Sequence, residues 1–287
     1  MTLRSLALAV LACMPIVAAH AQSALPERVT FPSADGKTTL IGYLYLPRAQ
    51  IGRAPAVVMM HGRAGAYSSA ANGIYDASTL SKRHKAWGEL WAAQGYAALM
   101  VDGFGPRGHA QGFPRHSYDS RPEELNEVTV RPLDAYGALA YLRTRREVDG
   151  TRVGLQGWSN GGSATVAAMA AGTGFTPPSQ KGFAAALSFY PACGLKDAFK
   201  SGYKPYARVA VFMGTADEEV SPQRCEAFVA ASTASGGDIA IRLYPGATHG
   251  FDDPGANRQS VPANADATEN AIARALAFFR AELGDRE

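Results

Sequence analysis

Two hydrophobic patterns alternate along most of the chain. Short, nearly continuous apolar runs occur at 56–60, 96–101, 153–156, 183–189, 209–213 and 239–244. Such runs suit strands that are covered on both faces. Between them, apolar residues recur at spacings of three and four. That spacing puts Trp87, Leu90 and Trp91 on one face of a helix that Gly95 can end. It puts Leu133, Tyr136, Leu139 and Ala140 on one face of a second helix, with Pro132 near its start. A last helix, over about 267–282, lines up Ile272, Leu276 and Phe279. Before the first run, residues 28–46 read as an antiparallel hairpin: Val29-Thr30-Phe31, an Asp35-Gly36 turn, then a strand from Thr38 to Leu46. The expected fold class is therefore α/β: a mostly parallel central sheet with helices on both faces and an N-terminal antiparallel hairpin.

Two long connections, 62–82 and 103–128, interrupt the rhythm. Each begins where a predicted strand ends, the edge at which open α/β sheets bind ligands. Long loops inside a compact domain are usually functional or hold small helices of their own.

Candidate chemistry sits at the same edge. Gly157-Trp158-Ser159-Asn160-Gly161 fits G-x-S-x-G. The pattern is weak alone, but here a strand precedes it and a run of small, helix-compatible residues follows, as a nucleophile elbow requires. The bland alternative is a Gly-rich helix start with Ser159 as its cap. A serine hydroxyl needs a base to take its proton, and the base needs an acid to fix its tautomer. His249 follows the final strand in a loop of small residues, whereas His61, His84, His109 and His116 lie at a strand end or in predicted helix or loop. Asp217 directly follows the 209–213 run, which gives the order Ser159, Asp217, His249 expected of such a site. Glu218 and Glu219 are adjacent rivals to Asp217; Asp252 and Asp253 are rivals out of order. Asp134, within a predicted helix, reads as a solvated charge. The oxyanion of the tetrahedral intermediate needs two backbone donors, and Asn160 N–H and Arg63 N–H fill these places, with Gly62 permitting the turn.

Composition adds bounds. The net charge of +3 comes with no Lys/Arg patch, so there is no footprint for nucleic acid or an anionic membrane. There is no zinc-type Cys/His spacing and no phosphate-binding loop, so no metal or organic cofactor is implied. Arg4, the apolar stretch after it and Ala19-His20-Ala21 read as a cleaved signal peptide over 1–21, leaving 22–287 as a single domain exported to the periplasm or the extracellular space, with no membrane anchor. A lipid on Cys13 is a lower-ranked reading, because the apolar run continues past it. Cys193 and Cys225 remain in the mature chain. In an oxidising compartment they are expected to pair, at roughly 3 kcal/mol of stabilisation; two separate buried thiols are the alternative.

Taken together these segments resemble the dienelactone hydrolase family of the α/β-hydrolase fold over roughly 28–282. The carriers are the His61-Gly62 turn, Asp102-Gly103-Phe104-Gly105-Pro106-Arg107-Gly108, the elbow at Ser159, Tyr190-Pro191, Gly214-Thr215-Ala216-Asp217 and Tyr244-Pro245-Gly246-Ala247-Thr248-His249-Gly250-Phe251. The resemblance implies ester hydrolysis of a small molecule through an acyl-enzyme on Ser159. It also implies pairing of Cys193 with Cys225, as in exported relatives. The chain departs from the family's namesakes in three places. It has Ser159 where they use cysteine, Gly62 where they carry Glu, and Asp253 where they carry an arginine for the substrate carboxylate; dienelactone is therefore not carried over as substrate. Phe104, Arg107 and Trp158 are the expected substrate-side residues. Arg107 has an equal alternative, bonding loop carbonyls; for Trp158, packing beside the elbow ranks above substrate contact. Related prolyl peptidases keep the elbow but usually add a propeller, for which 287 residues leave no room. A binding protein on a hydrolase scaffold is the alternative from another class.

Overall fold

The computed structural model describes residues 25–48, 52–175 and 182–284. The predicted signal peptide, its cleavage site and Cys13 lie outside these residues.

Eight strands form one sheet in the order β1-β2-β4-β3-β5-β6-β7-β8. β1 (Glu27–Pro32) and β2 (Thr39–Tyr45) make the antiparallel hairpin, and β2 pairs antiparallel with β4 (Ala97–Asp102). From β4 through β3 (Ala54–Met60), β5 (Val148–Trp158), β6 (Ala185–Phe189), β7 (Val209–Gly214) and β8 (Ile239–Tyr244), all pairing is parallel.

The central strands are buried on both faces, and their side chains divide by parity. Ala56, Val58 and Met60 join one core, while Val57 and Met59 join the other; Leu99 and Met100 of β4 divide in the same way. Helices α2 (Arg131–Thr144) and α3 (Asn160–Ala168) cover the first core, and α1 (Lys82–Ala93) and α6 (Pro262–Leu283) the second. α4 (Pro222–Ala234) packs by β8, and the short α5 (Ala256–Gln259) precedes α6.

Two helices bury faces other than those the sequence spacing implies. In α2, Ala140 is exposed and Asp134 fully buried. In α6 the face fully against the sheet is Ala267, Ala271, Ala275, Phe279 and Leu283, with Ile272 and Leu276 only partly covered. Small residues every four positions let the α6 backbone approach the sheet, so close approach rather than side-chain size selects the buried face.

The two long connections hold short 3₁₀ turns, Ala77–Thr79 in the first and Gly105–Arg107, Tyr118–Ser120 and Glu123–Leu125 in the second. Cys193 and Cys225 form a disulfide that ties the loop after β6 to α4.

Candidate active site

β5 lies at the centre of the sheet and ends at Trp158; at Ser159 the backbone turns into α3 with φ 54° and ψ −116°. A non-glycine residue with positive φ is strained and persists only where packing over-determines it. Here the packing is backbone on backbone. A Cβ on Gly161 would collide with the Met60 and His61 carbonyls, so α3 can seat against the end of β3 only with glycine there. Gly62 is similarly tight, with a Cβ meeting Trp158 O at 3.2 Å and Ser159 Cβ at 3.3 Å. These contacts bring the loop after β3 beside the serine.

The loops after β7 and β8 supply the partners. Ser159 Oγ is 3.0 Å from His249 Nε2, and His249 Nδ1 is 2.8 Å from Asp217 Oδ2. The Asp217 side chain is fully buried, and its Oδ1 also accepts the Glu219 and Val220 N–H groups at 2.9 Å, which closes the turn that presents it. Asp217, not a rival, therefore holds the ring. Glu218 accepts the His249 backbone N–H at 2.9 Å. Glu219 is held by Arg63 through two hydrogen bonds of 2.8 and 2.9 Å and by Arg115 at 2.9 Å, and its Oε2 stands 3.8 Å from His249 Nε2. Burial alone would raise the Glu219 carboxyl, but Arg63, His249 and Arg115 hold it down to about 2.

Asp252 has a different place from the one considered for it. It is buried beneath the histidine loop and accepts Trp87 Nε1–H at 2.9 Å, Trp158 Nε1–H at 2.8 Å and the Tyr190 hydroxyl at 2.5 Å, with Arg83 at 3.2 Å. The Tyr190 ring packs 4.7 Å from the His249 ring. Asp253 pairs with Arg83 at 3.4 Å. Together these contacts fix the loop that carries the base.

The Arg63 N–H has no hydrogen-bond acceptor among the described residues. Asn160 is the first residue of α3, where the N–H has no intrahelical partner. The peptide bearing the Arg63 N–H is oriented by His61. The buried His61 ring donates from Nδ1 to Gly62 O at 2.8 Å and accepts the Gly103 N–H at Nε2, 3.2 Å away. Burial, and then Arg131, hold this imidazole well below the ordinary histidine range, so it is neutral and its tautomer is set by these two bonds. A trans peptide points its C=O and N–H in opposite directions, so fixing Gly62 O at the ring directs the Arg63 N–H the other way.

The three expected substrate-side residues are elsewhere. Phe104 and Trp158 are fully buried; Phe104 packs edge-on to His61 with ring centres 4.5 Å apart, and Trp158 belongs to the core. Arg107 donates to Gly103 O at 2.7 Å and makes two 2.8 Å bonds to the buried Asp134, the carbonyl-bonding alternative with an ion pair added. The actual walls are two clefts that meet at Ser159. One, of ≈ 620 Å³, runs past Arg63, Arg121, Lys196, Asp197, Glu219 and Arg224. The other, of ≈ 360 Å³, runs past Tyr67, Lys82, Arg83, Arg115, His249 and Arg258. Most of these residues sit in long loops, where no periodicity marks them.

Comparisons with known proteins bear on the family and the fold. The family model described as the dienelactone hydrolase family matches residues 40–283. Among solved structures, the chain is similar to a dienelactone hydrolase-like promiscuous phosphotriesterase from metagenomic libraries (TM-score 0.63, 21% identity, covering 90% of this chain and 99% of that one). It is also similar to Thermogutta terrifontis esterase 2 (TM-score 0.60, 19% identity, 91% and 97% covered), which has also been solved phosphorylated by paraoxon. Among curated proteins it is similar to the quorum-quenching protein AidA of Acinetobacter baumannii, 29% identical over 176 residues, which is 60% of this chain and 50% of that protein. The match thus spans about half the length of that relative.

Proposed function

The chain belongs to the dienelactone hydrolase family and is a hydrolase, and we propose that it is an exported serine esterase working through an acyl-enzyme on Ser159. The observation that carries this reading is the continuous line from a strained, half-buried serine to a histidine at 3.0 Å and a buried carboxylate at 2.8 Å.

The Ser159 hydroxyl attacks the ester carbonyl as His249 Nε2 takes its proton, and the Asp217 carboxylate on Nδ1 stabilises the imidazolium. The oxyanion is received by the Arg63 and Asn160 N–H groups. The tetrahedral intermediate collapses as His249 returns the proton to the leaving alcohol. Water then attacks the acyl-enzyme, giving its proton to His249; the acid leaves and Ser159 regains its hydrogen.

Two clefts of moderate size meeting at the nucleophile suit a substrate with one group in each. Their linings are mostly charged and polar, which favours short or polar groups over long aliphatic chains. The 1–21 segment acts as a cleaved leader, with 22–287 as one domain; the Cys193–Cys225 disulfide supports export.

The test is hydrolysis of p-nitrophenyl esters of increasing acyl length by wild type and Ser159→Ala. Turnover of short esters that falls with chain length, lost in the variant, is the expected result. A wild type inert on the whole panel and toward a fluorophosphonate probe overturns the reading in favour of a binding scaffold.

A further inference from the structure

Arg131, at the start of α2, points into the site from below and takes no part in the chemistry above. It is fully buried, yet it belongs to none of the ion pairs among the described residues. Asp134, Glu127 and Asp102 act on it only at longer range. Its Nη1 donates to two acceptors, His61 O at 2.7 Å and Asn160 Oδ1 at 2.6 Å. Its Nε and Nη2 have no hydrogen-bond partner among the described residues, and the guanidinium lies over the Phe104 ring at 4.9 Å. On the far side, Asn160 Nδ2 donates to the buried Glu127 at 3.1 Å.

The two acceptors of Nη1 identify its role. His61 is the residue whose ring orients the peptide carrying the Arg63 N–H. Asn160 is the residue whose own N–H is the second oxyanion donor. One guanidinium nitrogen therefore ties together the two arms of the oxyanion hole. We infer that Arg131 is a positioning residue for transition-state stabilisation, holding both donor arms in register and keeping a positive charge behind them. The inference rests on the serine esterase reading. A buried cation with no carboxylate within ion-pair distance is an arrangement folds avoid unless something offsets it, and the longer-range pull of Asp134, Glu127 and Asp102 is smaller than the cost of burial. Here the His61 carbonyl and the Asn160 amide turn their negative ends toward it in the free protein. The oxyanion adds negative charge when the tetrahedral state forms, and in a water-poor interior that interaction is only weakly screened. Burial lowers the guanidinium to about 10, so the charge persists at neutral pH.

The rival account is that Arg131 only packs α2 against the end of β3. The two are separated by Arg131→Met and Arg131→Lys, each titrated to completion with a fluorophosphonate so that rates refer to competent sites. kcat and KM are read on a p-nitrophenyl ester, and inhibition by phenylboronic acid is read alongside, since its tetrahedral adduct on serine places an oxygen where the oxyanion sits. Positioning predicts that kcat per titrated site falls about 10²-fold in Arg131→Met, with KM little changed. The boronate inhibition constant should rise in step with the loss of kcat, and Arg131→Lys should recover part of both. A Met variant that melts lower but keeps wild-type kcat per site and wild-type boronate affinity overturns the inference. If Arg131→Met does not fold, Asn160→Ala decides: it keeps the backbone N–H and cuts the tie. A parallel loss of kcat and boronate affinity supports the role, and unchanged boronate affinity overturns it. A wild type inert to ester and fluorophosphonate alike would instead remove the esterase reading itself.

Discussion

Ser159 is held from two sides that differ in kind. The rim, on the loops after β7 and β8 with Arg63 reaching across from the loop after β3, carries His249, Asp217 and the Arg63–Glu219 pair, all bordering open clefts or just beneath them. The floor, on α2 and the loops after β3 and β4, carries His61, Arg131 and the Arg107–Asp134 pair, which are almost wholly buried. Each side has a two-bond arginine–carboxylate pair of similar geometry, with distances of 2.8 and 2.9 Å on the rim and 2.8 Å twice on the floor. The difference lies in the solvent around them. Groups at the rim can meet substrate and exchange protons; groups on the floor can only hold other groups in place. Substitutions of rim groups that exchange protons should therefore cost rate, and those of a floor pair remote from the oxyanion donors stability; Arg131, which holds those donors, is the floor residue expected to cost rate.

The largest effects test the first half. His249→Ala and Asp217→Asn should each lower kcat/KM by about 10⁴-fold or more, with little change in melting temperature. Asp217→Asn is the sharper of the two. The amide keeps an Oδ1 acceptor for the Glu219 and Val220 N–H groups, so the turn survives. What is lost is the carboxylate that fixes the His249 tautomer. A steep loss of melting temperature alongside the loss of rate would place Asp217 with the floor instead.

The second half is tested at Asp134. Removing it leaves the Arg107 guanidinium, 6% exposed, with only the Gly103 carbonyl at 2.7 Å and Asp35 at 3.8 Å. Breaking a buried pair in this way costs about 3–5 kcal/mol, whereas replacing both members with apolar residues of similar volume is often neutral. Urea unfolding should show a loss of that size for Asp134→Ala and recovery of most of it in the Asp134→Leu/Arg107→Met double variant. kcat per titrated site should stay near wild type in both. A loss of kcat without a loss of stability would erase the distinction between the two sides.

How much of each side was legible in the sequence follows the same division. The strands were legible because a strand covered on both faces leaves an unbroken apolar run. The rim was legible because its residues follow strand ends in a fixed chain order, and Ser159, Asp217 and His249 come together in space as that order implies. The floor was not. A charged residue inside a helical pattern is usually solvated, and from the sequence Asp134 reads so. What permits its burial is Arg107, 27 positions away; what holds Arg131 is Asn160, 29 positions away. No local period encodes partners so distant. Arg131 did leave one trace. It is a cation at the first position of a helix, where the helix dipole favours anions, and its placement there needs a reason outside the helix. The clefts were illegible for another reason: their walls come from loops whose shape depends on tertiary packing, which is why Phe104, a substrate-side candidate, lies buried, while Trp158 packs beside the elbow as its higher-ranked reading has it.

The smallest effect compares the two arginine–carboxylate pairs directly. Glu219 is held at about 2 against an ordinary value of 4.5, so its folded-state value is depressed. A depressed carboxyl contributes stability that is complete above its unfolded value and is lost as pH falls through its folded value. The Arg63–Glu219 pair should therefore contribute a constant amount from neutral pH down to about 5 and lose it progressively toward about 2. Being partly solvated, it should contribute only about 1 kcal/mol, well below the Arg107–Asp134 pair. Urea unfolding of wild type and Glu219→Gln across that pH range isolates the contribution, because His61 and His84 titrate in both proteins and cancel in the difference. The expected difference is flat above pH 5 and shrinks below it. A difference that stays flat to the acid limit would mean that Glu219 contributes through packing rather than charge. One as large as the cost of Asp134→Ala would mean that solvent exposure is not what separates the rim from the floor.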